Sequence, residues 1–278
     1  MREIRLRFDQ NGRAIEAGSG AVFGLLACDG LSATEYETES VATPHLPGDS
    51  VTAHRVLPRY ISATMDCNAE DRDWVLRFFR PKEEGELTVR LNGIRRRIRY
   101  MVDGFRALPE NVHQELMTFK VRLRCAEPYF MHEDDFGQDI AAITPFEMFP
   151  DVWETGAGWF ADLRQHDTSA PVDNRGDVPI GLRLEFHARG FARDPFASVR
   201  EQRLEVFTEM QRGDVLAIDT RPRRKGVWLN GASLMHRVCR NSAFLQAAPG
   251  RNPLLYGAAE GLQLLEVRLF FTPLYLGV

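Results

Sequence analysis

Apolar and charged residues alternate with a period of two over much of the first half of the chain. Residues 4–8 follow this pattern and lead into Asn11-Gly12, a dipeptide that tolerates the positive φ angles of a tight hairpin turn. The same signals predict a second hairpin over residues 86–102 and a strand with one wet face over residues 117–125. Arg96 lies on the apolar side of the second hairpin and leaves two interpretations open: it reaches past the sheet edge, or it pairs with an acid.

One helix is predicted between these strands. It begins at Asn68, which can cap it, and carries acidic residues in its first turns and arginines in its last, ending before Pro81. Trp74, Val75 and Phe78 fall on one helical face. A single helix with one apolar face suits a barrel or sandwich that needs one end covered.

From residue 136 to residue 170 the alternation stops. The segment contains turn residues and several aromatic residues without a sustained period, among them Phe146, Phe149, Trp153, Trp159 and Phe160. We interpret it as a linker or a long excursion whose aromatic residues dock on this chain or on a neighbouring copy.

Strand patterns resume after residue 171, in short runs separated by turn residues. These runs cover residues 180–186, 204–207, 215–218, 227–229 and 262–271. Short strands at this spacing predict an antiparallel sandwich or barrel. The last run is apolar at most positions, which predicts a strand covered on both faces. The sequence therefore predicts two β domains, over residues 1–135 and 171–278.

Composition and charge narrow the function classes. The 278 residues are 44% hydrophobic and 27% charged, close to the globular average, which excludes a disordered, collagen-like or coiled-coil chain. The formal net charge is −4 and neither half is strongly basic, so nucleic acid is not expected as the principal partner. The longest apolar run, Ala21 to Cys28, is far shorter than the roughly 18 residues of a membrane span. The first residues lack the pattern of a secretory signal, and we expect a soluble protein without membrane insertion.

The four cysteines lie far apart, at Cys28, Cys67, Cys125 and Cys239. Because there is no Cys-x-x-Cys pair, the spacing that indicates a zinc site or a redox dithiol is missing. We expect reduced thiols in a protein made in the cytosol. The alternative is a disulfide that forms after release from the cell, and the sequence leaves it open.

Candidate catalytic and metal-binding patterns are weak. Residues 132–135 (His-Glu-Asp-Asp) have ligand side chains, but adjacent residues rarely converge on one ion, so a solvated turn is expected. Glu35, Glu37 and Glu39 alternate on a predicted strand and are interpreted as a wet face. Arg175-Gly176-Asp177 spells a tripeptide that some adhesion receptors recognise, for which a tight turn is a sufficient explanation. Hydrolase, nucleotide-binding and zinc-protease motifs are missing, so the sequence predicts no catalytic residue, metal or cofactor, and no enzyme.

A ladder of arginines occupies one side of the second hairpin, at Arg95, Arg97 and Arg99. Thr88 and Arg90 are expected to face them, which places like charges close together. The ladder is therefore either a contact for an acidic partner, within the chain or on a second subunit, or a solvated face. A nucleic-acid surface is disfavoured, because interleaved aromatic residues are missing.

Several motifs occur in an order that resembles the distal tail proteins of long-tailed (siphovirus-type) bacteriophages. In the first half they are HLPGDS, Arg59-Tyr60-Ile61, the helix ending in FFRP, the hairpin GELTVRLNGIRRRIRYMVDGF and FKVRLRCAEPYF. In the second half they are VDNRGDVP, GDVLAIDTRPRRKGVWLNG, PGRN and FFTPLYLGV. The resemblance covers most of the chain apart from part of residues 1–45 and residues 136–170.

The resemblance implies a mainly β fold, with an N-terminal split β-barrel, one covering helix and a C-terminal galectin-like antiparallel β-sandwich. It implies a structural virion protein, made in the host cytoplasm, that forms a homo-hexameric ring at the phage tail tip. Its partners would be the tail tube protein, the tail hub or tip protein and receptor-binding or adhesion proteins, and DNA would pass through the lumen without specific binding. A ring of identical subunits needs head-to-tail contacts. We expect these at Arg95, Arg97, Arg99, Phe146, Trp153 and Trp159.

A second class of function stays open, a carbohydrate-binding β-sandwich protein that mediates attachment to the host surface. Trp228 and Trp159 could serve as stacking platforms for sugar rings, although tryptophans in a β domain are more often core residues. A glycan- or peptidoglycan-cleaving enzyme has no supporting motif.

Overall fold

The computed structural model describes most of the chain. The structure describes residues 3–32, 34–42, 47–108, 116–132, 136–139 and 169–278. The structure is mainly β, as the sequence predicts. It divides into two compact units, the first formed by Met1–Asp134 together with Leu274–Val278 and the second by Asp135–Pro273.

The elements follow one another along the chain in this order. The first unit contains β1 (Ile4–Gln10), β2 (Arg13–Gly18), β3 (Gly24–Asp29), β4 (Tyr36–Ala42), β5 (Asp49–Val56), β6 (Arg59–Asn68), α1 (Arg72–Phe78), β7 (Glu84–Leu91), β8 (Ile94–Leu108), β9 (Leu116–Cys125) and β10 (Phe130–His132). The second unit contains β11 (Phe136–Asp139), β12 (Ser169–Asn174), β13 (Ile180–Gly181), β14 (Arg183–Ala188), β15 (Ala192–Val199), β16 (Gln202–Glu205), β17 (Glu209–Met210), β18 (Val215–Asp219), β19 (Gly226–Leu229), β20 (Ala232–Ser233), β21 (Gln246–Ala247), β22 (Gly250–Glu260) and β23 (Leu265–Phe271). The last strand, β24 (Leu274–Tyr275), returns to the first unit.

Most strands of the first unit join in one antiparallel sheet in the order β2-β1-β7-β8-β9-β6-β3. The predicted hairpins are confirmed: Asn11-Gly12 turns β1 into β2 with φ angles of 48° and 74°, and Asn92-Gly93 turns β7 into β8 with φ angles of 50° and 86°. The two end strands of that order approach each other where Ala17 forms a β-bridge with Phe23. The sheet therefore curls into the split barrel that the resemblance implies.

Helix α1 covers the interior of this barrel with the apolar face predicted from its sequence. Val75 and Phe78 are buried, and Trp74 packs against the same core. Phe79, directly after the helix, makes an edge-on contact with a phenylalanine of β1 at a ring-centroid distance of 5.3 Å. The helix is shorter than predicted, because its expected first turn is a 3-10 turn in which the side chain of Asn68 makes no capping hydrogen bond.

Two antiparallel sheets form most of the second unit, in the orders β11-β23-β14-β18-β19-β20 and β12-β22-β15-β16, with β17 beside β15. A third, two-stranded sheet pairs β13 with β21. The predicted antiparallel sandwich is confirmed. The expectation that the last long strand is covered on both faces is wrong. In β23, Val267 and Leu269 are buried, whereas Glu266 lies on the opposite face. There its carboxylate is 2.8 Å from Nε of Arg189, so charged groups cover that side.

Residues 274–278 lie in the first unit, although the sequence assigned them to the second domain. β24 pairs with β10, and Arg96 lies over the ring of Tyr275, 3.7 Å from its centroid. Arg96 also donates a hydrogen bond to the Gly277 carbonyl. Arg96 thus finds a ring and a carbonyl, partners that the sequence did not propose. At the other boundary, residues 136–139, expected to begin the linker, form a strand that pairs with β23.

One buried arginine connects four backbone carbonyls of the first unit. Arg59 is 5% exposed. Its Nε donates to the Pro128 carbonyl at 2.7 Å, and its Nη1 donates to the carbonyls of Gly30 and Ser32 at 2.6 Å each. Its Nη2 donates to the carbonyl of Leu276. Burial lowers the pKa of the guanidinium group, and these hydrogen bonds offset the loss of hydration.

We predict that Arg59→Met lowers the free energy of unfolding by about 3 kcal/mol, because four carbonyls lose their charged donor while the aliphatic stem is kept. Urea denaturation of the full chain measures the loss, and hydrogen–deuterium exchange locates it at residues 28–32 and 274–278. Arg77→Met, on the exposed side of α1, is the matched control and should change stability by less than about 0.5 kcal/mol. Equal stability of the two variants would contradict this role of Arg59.

Candidate assembly surfaces

The predicted arginine ladder lies on the outer face of β8. Arg95 and Arg99 are exposed and Arg97 is half-buried, while the core side of the strand is buried. The register of β7 and β8 places Thr88 opposite Arg97 and Arg90 opposite Arg95, as predicted. The three arginines therefore share one face of the barrel sheet.

The sequence predicts that the like charges of the ladder lie close together without a visible acidic neighbour. The structure corrects this at Arg97, which has a carboxylate and a carbonyl beside it. Glu86 lies opposite Arg99 in β7, and its Oε2 is 3.5 Å from Nη1 of Arg97. Arg97 also donates from Nε to the His132 carbonyl at 3.0 Å, which leaves its side chain 22% exposed. Pairing of β10 with β8 brings His132 there, and the hairpin sequence alone contains no sign of that pairing.

Strand β9 widens the ladder into a larger basic surface. Lys120 lies opposite Arg106 of β8, and Arg122 and Arg124 follow on the same face. The outward cations of these two strands are named the basic face: Arg95, Arg97, Arg99, Arg106, Lys120, Arg122 and Arg124. Asp103 places a carboxylate 3.1 Å from Nε of Arg122. Lys120 and Arg124 are exposed.

Strands β4 and β5 form a two-stranded sheet of their own. Every residue of β4 is exposed, and so is every residue of β5 except the half-buried Val56. The N–H of Leu57 donates to the Glu35 carbonyl at 3.0 Å and closes the base. This strand pair with its flanks, residues 35–42 and 47–56, is named the acidic hairpin, because it carries Glu35, Glu37, Glu39 and Asp49 against Arg55. The predicted wet face of the glutamates is confirmed.

Trp228, in the second unit, lies on the outer face of its sheet. The preceding valine is fully buried, whereas Trp228 is half-buried with its indole ring against Gly226, where a Cβ would not fit. Three more residues with outward parity in this sheet, Arg183, Glu185 and Phe270, help to line a shallow cavity of about 260 Å³. Nη2 of Arg183 is 2.6 Å from Oε1 of Glu185.

Three of the four thiols are held in surroundings that disfavour the thiolate. All four cysteines are free, as predicted, and burial raises the pKa of Cys28 to about 12, of Cys67 to about 11 and of Cys125 to about 12. His132 is half-buried on β10, and residues 133–135 lie outside the described residues. Among the residues described, no group of three or more His, Cys, Asp and Glu side chains could hold a metal ion, and no helix is long and apolar enough to cross a membrane.

The tripeptide Arg175-Gly176-Asp177 belongs to a turn organised by Asn174. The Oδ1 of Asn174 accepts a hydrogen bond from the Gly176 N–H at 3.0 Å. Its Nδ2 donates to the carbonyls of Val178 and Ala247 at 2.9 and 3.0 Å. One buried side chain thus satisfies the turn, in agreement with the turn interpretation.

The predicted contact residues divide into two groups. Arg95, Arg97 and Arg99 lie together on β8, within the basic face. Phe146, Trp153 and Trp159 lie outside the described residues. Sequence reasoning missed the basic face and the acidic hairpin as surfaces. Their signal was the alternation of charged residues in β4 and β9, which was interpreted only as wet strand faces.

Comparison with known proteins places the chain beside components of phage tails and baseplates. The family model of the siphovirus-type tail component, C-terminal domain, matches residues 175–275. The crystal structure of the SPP1 Dit (gp 19.1) protein, described as a paradigm of the hub adsorption apparatus in phages that infect Gram-positive bacteria, superposes with a TM-score of 0.69 at 11% identity, covering 98% of this chain and 99% of that chain. The phage P2 baseplate in its activated conformation with Ca gives a TM-score of 0.48 at 6% identity, covering 98% of each chain. A search of curated proteins finds no match. The family match confirms the resemblance that the motifs indicated.

We predict that a thiol reagent at pH 8 modifies the half-buried Cys239 of the native chain well before the other three cysteines. At that pH the raised pKa values leave no more than about one thiolate per thousand thiols at Cys28, Cys67 and Cys125. Peptide mass spectrometry after timed alkylation measures the order, and Cys239→Ser is the control that should remove the early signal. Rapid labelling of Cys125 in folded protein would contradict the prediction.

Proposed function

We propose that this chain, whose residues 175–275 match the siphovirus-type tail component family, is a distal tail protein that joins the phage tail tube to the tail tip and its adhesion components. The observation that carries the proposal is the coincidence of two matches. The family match lies in the second unit, and the fold likeness to SPP1 Dit extends over 98% of the chain and so includes the first unit. SPP1 Dit is described as a hub of an adsorption apparatus.

The proposed assembly is a homo-hexameric ring. Residues 1–135 would close the ring, and the sandwich would hold receptor-binding or adhesion proteins. Identical subunits close a ring only through two different surfaces that meet head to tail. The exposed charged surfaces of the first unit support this division of roles, because each offers side chains that its own unit leaves in solvent.

The proposed role is assembly without catalysis. Its partners are further copies of the chain, the tail tube protein and the hub or tip protein, while DNA passes through the lumen without specific contacts. The protein would be made in the host cytoplasm and reside at the tail tip of the virion. The matched family and the shared fold are those of tail and baseplate components, which supports this role.

We predict that the full chain, produced together with the tail tube protein of the same phage genome, forms rings that bind the end of the tube. Negative-stain electron microscopy and native mass spectrometry measure ring formation and its stoichiometry. The tube protein of an unrelated long-tailed phage is the control and should not be bound. A chain that stays monomeric at high micromolar concentration with its own tube protein would contradict the proposal.

A second candidate function, carbohydrate binding by the sandwich, is supported by the position of Trp228. The indole ring lies outside the core, on the sheet face that also carries Arg183 and Glu185. An outward-facing aromatic ring on a sheet face that also carries charged hydrogen-bonding groups is a suitable platform for the apolar face and the hydroxyl groups of a sugar.

If the sandwich binds glycans, Trp228→Ala should lower the affinity of the full chain for its glycan at least about tenfold, because the stacking surface is removed. A glycan array identifies the ligand, and calorimetry measures the change. Phe207→Ala removes an exposed aromatic side chain elsewhere in the second unit and is the matched control. Equal affinities of both variants, or no glycan bound by the wild type, would reject this candidate.

A further inference from the structure

We infer that the acidic hairpin of one copy docks on the basic face of the next copy, and that this contact helps to close the ring. The inference rests on the proposed function and names the partner of two surfaces that no comparison assigns. Three observations carry it: the side chains of the described hairpin residues are exposed, their charges complement the basic face, and hydrogen bonds anchor the root of the hairpin.

Among the described residues, the side chains of the two strands of the acidic hairpin are exposed apart from the half-buried Val56, so the hairpin has no buried core there. A two-stranded sheet by itself is marginally stable in water, and a third strand or a packing layer is needed to hold it. Its exposed apolar side chains include Tyr36, Val41 and Val51, which are 57%, 56% and 53% exposed. A partner that covers them would bury apolar area and add the missing layer.

The charges of the two surfaces are opposite and share the same spacing. Glu37 and Glu39 lie two residues apart on one face of β4, and Glu35 precedes them at the same interval. On the basic face, Lys120, Arg122 and Arg124 also stand two residues apart along β9. Because alternate residues of a strand are about 6.6 Å apart, the two carboxylates of β4 can face two neighbouring cations of β9, with Glu35 just before the strand.

The two surfaces do not cover each other within one copy. The carboxylate-bearing residues of the hairpin are exposed, and Lys120 and Arg124 of the basic face are exposed as well. A contact between two different patches on identical chains is head-to-tail, and repetition of such a contact closes a ring. A second copy of this chain is therefore the occupant that the charges and the required symmetry favour.

The root of the hairpin is fixed, which a docking arm requires. The hairpin follows Ser32 and precedes Arg59, and Nη1 of Arg59 donates to the Ser32 carbonyl at 2.6 Å. The strands leave the barrel from two points held by one buried side chain. Ordering such an arm on a partner costs less conformational entropy than ordering a free loop.

The experiment is a charge swap in the full chain, assembled on its tail tube protein. The first variant reverses the hairpin (Glu37→Lys with Glu39→Lys), the second reverses the face (Lys120→Glu with Arg124→Glu), and the third combines all four changes. Each reversal alone should raise the concentration needed for half-maximal ring formation at least about tenfold, because like charges then meet. The combined variant should return to within about threefold of wild type, because opposite charges meet again.

The matched control is Glu201→Lys with Glu209→Lys, which makes the same charge change on exposed residues of the second unit and should assemble as wild type does. Circular dichroism checks that every variant is folded. The loss in the single reversals should shrink at 0.5 M salt, where screening shortens the reach of surface charges.

The remaining outcomes distinguish a failure of the hairpin contact from a failure of the proposed function. If both reversals form rings as readily as wild type, the inference is wrong and the proposed function stands. If both reversals fail and the combined variant fails equally, the pairing is wrong. If the face reversal leaves assembly intact but weakens binding to a DNA duplex in fluorescence anisotropy, the basic face serves nucleic acid, and the inference is wrong. A wild-type chain that forms no ring overturns the proposed function and this contact together.

Discussion

A guanidinium group can be buried only where each of its N–H groups finds an acceptor, because an unpaired charge in the interior costs several kcal/mol. Arg59 meets this constraint by drawing the carbonyls of Gly30, Ser32, Pro128 and Leu276 towards the start of β6. The interaction therefore fixes both the segment after β3 and the segment before β10, and it holds the returning residues 274–278. The acidic hairpin leaves the barrel between Ser32 and Arg59, so the same hydrogen bonds define where it starts and ends.

Local patterns in the sequence were sufficient to predict the helix and several of the strands, but not the sandwich strands β15 and β22 or the contacts of the arginines. Alternation and the two Asn-Gly turns predicted the hairpins of the barrel, since both signals are local. The hydrogen-bond acceptors of Arg59 and Arg96 are backbone carbonyls of distant segments. Because every residue has a backbone carbonyl, the sequence does not mark which residue provides the acceptor. The return of residues 274–278 to the first unit was missed for the same reason, because short apolar runs pair equally well with either domain.

The surfaces show a similar division between what is local and what depends on register. Each charged row was visible in the sequence; the rows of β4 and β9 were predicted correctly as wet faces, whereas the ladder of β8 was left open between a partner contact and a solvated face. The strand register, which the sequence did not reveal, determines how these rows combine. The pairing of Arg106 with Lys120 joins the rows of β8 and β9 into one face, and the pairing of β10 with β8 gives Arg97 a carbonyl acceptor. The hairpin around Glu37 was expected to be wet on one face, and the exposure of both faces of its two described strands follows only from the fold.

Exposed strands with free edges invite indiscriminate pairing, and charged side chains on them prevent it. The carboxylates of the acidic hairpin repel one another when two hairpins meet, which disfavours association hairpin to hairpin. Two basic faces repel each other in the same way. The contact that the charges favour is therefore the head-to-tail one, between the acidic hairpin of one copy and the basic face of the next. A single contact of exposed charges is weak in salt, whereas a closed ring makes every such contact intramolecular. In the proposed assembly, charge on these two surfaces would therefore select the contact geometry, and ring closure on the tail tube would supply the stability that one contact lacks.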